Sequence, residues 1–138
     1  MTSVRVMCAA LLVGVTGALV AADDKELSIK QFMGKHHAGK SATLARLDAG
    51  AKAASPDWDE VQKLAADYAQ AAPQVGKNTP PRNADKKDEW AKITGELAEN
   101  AKAIDTAAKA KDKEGVAKGV KMVRGMCARC HGEFRPKN

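Results

Sequence analysis

The chain has 138 residues, 23 of them Lys or Arg against 17 Asp or Glu, a formal charge of +6 at pH 7 and only 4% aromatic residues. That length suits one domain with one modest core. The basic residues are spread along the chain and alternate with acids, without aromatic interleaving or a nucleic-acid motif, so the excess reads as a solvated amphipathic surface and not as a nucleic-acid interface.

The first 22 residues read as a secretory signal. Arg5 supplies a short positive region, Val6 to Val20 is a run of apolar and small residues, and Ala21-Ala22 precede the polar pair Asp23-Asp24, which predicts cleavage near Ala22. The run is short for a membrane-spanning helix and no stop-transfer flank follows, so export to the periplasm or another outside compartment is expected, with no stable membrane insertion. Cys8 lies too early in the run for a lipoprotein cleavage cysteine and reads as a small apolar residue.

Residues 23–138 have the composition of an all-α protein, rich in Ala and Lys and without strand alternation. A first helix is expected from Asp24 to Ala51, with Leu27, Ile29, Phe32, Met33, His36, Leu44 and Leu47 near one stripe; Gly34 and Gly39 weaken it, so packing must hold it. A second opens at Ser55-Pro56, with Ser55 as N-cap and Asp57, Asp59 and Glu60 complementing the dipole, and ends near Pro73. The stretch from Pro73 to Ala84, containing Gly76 and Pro80-Pro81, is the one long connection. A third helix starts near Asp85 and carries Trp90, Ile93, Leu97, Ala101, Ile104 and Ala108 on one stripe. After a break around Lys111 to Lys113, a fourth shows Val116, Val120, Val123, Cys127, Cys130 and Phe134 at steps of three and four, which puts both cysteines on its inward seam. Four such helices, with a longer middle connection, fit an up-down-up-down four-helix bundle.

Cys127-Ala128-Arg129-Cys130-His131 is a Cys-x-x-Cys-His run, the attachment signature of a c-type haem. The thiols add across the haem vinyl groups as thioethers, and the adjacent imidazole is held on one face of the iron. Two other chemistries use paired cysteines. A tetrahedral zinc site needs two further ligands, and the only other histidines, His36 and His37, are adjacent and far away in sequence. A thioredoxin-like site needs a strand before the pair, and none is predicted. Behind an export signal, haem attachment is the expected chemistry.

With these features the chain resembles the class II c-type cytochromes, the cytochrome c′ family, in which a four-helix bundle holds one haem through its C-terminal helix. The resemblance covers residues 23–138 and is most specific over Cys127 to Arg135, where Phe134-Arg135 match an aromatic and a basic residue after the histidine; Trp90 after the Pro-rich connection is a weaker match. It implies that Cys127 and Cys130 carry one covalent haem c, that His131 is the proximal iron ligand, and that a homodimer, if formed, uses the first two helices.

The family divides at the sixth iron position. High-spin members cover it with an apolar side chain of the first helix and bind nitric oxide or carbon monoxide, whereas low-spin members place a methionine there. The stretch Phe32-Met33-Gly34-Lys35-His36-His37 offers Met33 as the distal ligand, His36 as its alternative one turn on, and Phe32 as the apolar cover; His37, turned away, is expected to face solvent. The low-spin pattern has a lysine directly after the methionine, and here Gly34 intervenes. Arg124, Arg129 and Arg135 flank the attachment run and are candidate partners for the haem propionates, since guanidinium matches carboxylate geometry. The expected function is that of a single-electron carrier, not an enzyme, serving redox partner proteins; the alternative is a five-coordinate binder of nitric oxide or carbon monoxide.

Overall fold

A computed structural model describes residues 26–137, so the expected signal segment, 1–22, lies outside the described residues. Those residues form five helices and no strand: α1 (Ile29–His36), α2 (Thr43–Lys52), α3 (Trp58–Val75), α4 (Lys87–Lys109) and α5 (Lys113–Phe134). The all-α, bundle-like expectation holds. The expected first helix does not hold as one piece, because it is two.

The break between α1 and α2 has a local cause. The carbonyl of Met33 accepts from the backbone N–H groups of both His37 and Ala38, which closes α1, and Gly39 then takes φ +86°, a conformation that an L side chain resists. α1 itself is capped by Ser28, whose side chain accepts from the Gln31 N–H while the Gln31 side chain returns to the Ser28 N–H.

Two further boundaries differ from expectation. The N-cap of α3 is Asp57, accepting from Glu60 N–H at 3.1 Å, and not Ser55. Its other end passes through Pro73 to Val75. A proline so near the end removes only one of the last ladder bonds, and burial of Ala72 and Val75 in the core keeps the turn helical. α5 is capped by Asp112, which accepts from Gly115 N–H at 3.0 Å.

Each of α2 to α5 packs against its neighbours in the chain, and α5 closes back onto α2. Their apolar stripes meet in one core that includes Leu47, Tyr68, Ile93, Ile104, Val116 and Val120. α1 lies outside this ring, resting on α3 and lightly on α2, and no Cα of α1 comes within 8 Å of one in α5. α4 and α5 pack closely at Gly119, where a Cβ would run into the Ile104 side chain. Gly119→Ala is therefore expected to lower the unfolding free energy by about 1–2 kcal/mol, although alanine favours a helix over glycine by about 1 kcal/mol. Gly125→Ala, whose Cβ meets nothing within 4 Å, gains up to ~1 kcal/mol instead. Urea unfolding of the two variants checks this, and equal gains would contradict the close crossing.

Candidate cofactor site

α5 ends in the attachment run, and the way its last turns are held decides what that run faces. The connection between α3 and α4 folds back under the end of α5. Arg82 donates through Nε to the Glu133 carbonyl at 2.8 Å and through its other nitrogen to the Gly132 carbonyl. Asn83 donates to the same Glu133 carbonyl at 2.7 Å, and Lys86 pairs with the Glu133 carboxylate at 2.8 Å. Carbonyls that a helix end would otherwise leave unsatisfied are thereby closed by cationic and amide donors, which also suit the negative end of the dipole. Trp90 locks the same end from inside. Its indole donates to the Asn78 carbonyl at 2.8 Å and its ring meets Phe134 edge-on at 5.0 Å.

So held, Cys130 and His131 line a cavity of about 710 Å³ between α1 and α5, within the size range of cofactor sites. Its floor is a second pocket of about 30 Å³, walled by Val75, Ile93, Leu97 and Val123 and reaching Cys127. Met33, His37, Cys130 and His131 border both. Cys127 and Cys130 are free thiols, each half-buried. Burial, then the neighbouring Cys127, pushes the Cys130 thiol up.

The α1 side of the cavity is set by helical register. Phe32 and His36, one turn apart, point into the core and are fully buried. His36 Nδ1 lies 2.9 Å from the Thr43 hydroxyl across the break, and its ring packs on Phe32 at 4.8 Å. Neither Phe32 nor His36 borders the cavity. The expectation of His36 as the alternative ligand, or of Phe32 as the cover, is thus not met by their positions: the core takes both.

Met33 and His37, also one turn apart, form the adjacent stripe and border the cavity together with His131. The expectation of a solvent-facing His37 is corrected. Its Nε2 lies 3.2 Å from the hydroxyl of buried Tyr68, and burial, then the charges of His36 and His131, brings its pKa down to about 4. It is therefore a neutral imidazole at pH 7. Its signal in the sequence was weak, since within the continuous helix expected from Asp24 to Ala51 its direction is outward, although the single tyrosine on the α3 stripe required a hydroxyl partner.

The three arginines separate. Arg124 pairs with Asp48 at 3.0 Å, Arg129 pairs with Glu96, and neither borders the cavity. Arg135 does border it, and so does Lys30 from the start of α1; among the described residues no carboxylate lines it. Among the described residues no three His, Cys, Asp or Glu side chains converge to hold a bare metal ion. No protein-family model, curated protein or solved structure matches this chain.

The buried imidazoles carry a pH dependence. Burial lowers the pKa of His36 as well as that of His37. Below about pH 6.5 the unfolded chain takes up protons that the folded histidines refuse, so stability present above about 6.5 is lost as pH falls toward about 4. Urea unfolding between pH 6.5 and 4.5 is expected to lose up to ~1.4 kcal/mol per pH unit through His37, with a shallower slope in His37→Gln. A flat profile would contradict the buried neutral rings.

Proposed function

We propose that this chain is an exported c-type haem protein that carries single electrons, with one haem c joined to Cys127 and Cys130 and His131 as the proximal iron ligand. The observation that carries the reading is that Cys130 and His131 line a cavity of about 710 Å³ that Met33 and His37 also border, with Cys127 on the smaller pocket that shares those four residues. The residues present fit the group. The walls are mostly apolar, as a macrocycle requires, an imidazole of α5 and a thioether of α1 both border the cavity, and its charged side chains among the described residues are the cations Lys30 and Arg135, which suit two propionates. Lys30 thus joins Arg135 in the role first read for the arginines.

Haem supplies a reversible one-electron couple at its iron. The protein does the rest. α5, clamped by Arg82 and Asn83, fixes the angle at which His131 enters the cavity, while Val75, Ile93, Leu97 and Val123 keep water from the floor. Met33 is the distal ligand in this reading, a soft neutral donor that raises the potential relative to a second imidazole. The short α2–α3 and α4–α5 connections and the ring of neighbour contacts support an up-down-up-down arrangement of α2 to α5, as in the class II cytochromes, with α1 as a separate flap that carries the distal side chains.

The reduced absorption spectrum tests the reading. Sharp, split visible bands unchanged by carbon monoxide are expected of the carrier, and Cys127→Ser/Cys130→Ser is expected to lose the covalently held colour altogether. A broad single Soret band that shifts with carbon monoxide would instead identify the gas-binding protein.

A further inference from the structure

We propose that His37 is a second iron ligand of the distal wall, standing beside Met33 on the same stripe of α1, so that the iron stays six-coordinate when Met33 is lost. This rests on the haem reading above. Met33 and His37 are four residues apart, share one helix face, and both border the two pockets that Cys130 and His131 border from the other side. Side chains on a helix lean toward its N-terminus, so the ring of His37 lies over the turn from which Met33 projects. The long thioether of Met33 and the stiffer ring behind it thus serve one region of the cavity.

Two features suit His37 to the part. The Tyr68 hydroxyl holds Nε2 at 3.2 Å, while no hydrogen bond to Nδ1 is seen among the described residues, and a partner on one ring nitrogen is how a protein orients the other toward a metal. His37 is also the C-cap of α1, followed by exposed Ala38, Gly39 and Lys40, so it can shift toward the iron without unwinding the helix. His36 has none of this freedom, being fully buried and tied to Thr43.

The test uses the full chain exported and loaded with haem, as Met33→Ala, His37→Phe and the double variant. His37→Phe keeps a ring against Phe32 and Tyr68 while removing both nitrogens, which guards against a variant that only fails to fold. Met33→Ala is expected to remain low-spin and closed to carbon monoxide, with a midpoint potential shifted downward, because an imidazole replaces a thioether. The double variant is expected to turn high-spin and to gain carbon monoxide binding. A high-spin Met33→Ala, or a low-spin double variant, would overturn the role of His37. Covalent haem content measured on the same samples separates that failure from failure of the haem reading, in which even the parent chain carries none.

Discussion

The register of one short helix governs the rest of this structure. α1 has only Ile29–His36, and it splits its side chains between two destinations one step apart: Phe32 and His36 to the core, Met33 and His37 to the cavity. What holds that register is the buried contact between His36 Nδ1 and the Thr43 hydroxyl, with the Phe32, His36 and Tyr68 rings packed around it. A buried imidazole left without that partner would carry a full desolvation penalty, of order 1–3 kcal/mol, so the helix is not free to rotate by a residue. Had it done so, the thioether would sit in the core and the cavity would lose its donors.

The same break that makes the register possible makes the cavity. Because Gly39 turns the chain, α2 packs in the ring while α1 swings out onto α3, leaving an opening whose opposite lip is the end of α5. That lip is stiffened from below by Arg82, Asn83 and Lys86 and from inside by Trp90 against Phe134. A group bound between the lips therefore meets one fixed wall, carrying His131, and one whose last residue, His37, lies at a helix end. Such an asymmetry suits a site in which the proximal side sets geometry and the distal side sets reactivity.

Much of this was legible in the sequence, and the omissions have physical reasons. The stripes on α3, α4 and α5 were readable because each buries one face over four turns or more, which makes the period unmistakable, and Cys127 and Cys130 followed from the last of them. The two-helix nature of 24–51 was not, because Gly34 and Gly39 are both compatible with a helix that packing rescues, and only Gly39 adopts a positive φ. The distinction between His36 and His37 depended on that break: within a continuous helix the first is inward and the second outward, whereas at a helix end the outward direction is the mouth of a cavity. The arginines show the limit of sequence proximity. Arg124 and Arg129 flank the cysteines, yet Asp48 and Glu96, on other helices, hold them elsewhere, and Lys30, a hundred residues away in the chain, lies at the cavity instead.

The account stands on a cavity bordered by Cys130 and His131 of α5, with Cys127 on the small pocket beside it, and by the soft and nitrogen donors Met33 and His37. Its central claim is the identity of the group between them, and the most direct measurement is the intact mass of the protein purified from a host that exports and matures c-type haem proteins. The account predicts one species beginning near Asp23 and heavier than its polypeptide by the mass of one haem, retained under denaturing conditions and mapped to the segment from Cys127 to His131. A mature chain of unmodified mass, or one lighter by the two hydrogens of a Cys127–Cys130 disulfide, would contradict it.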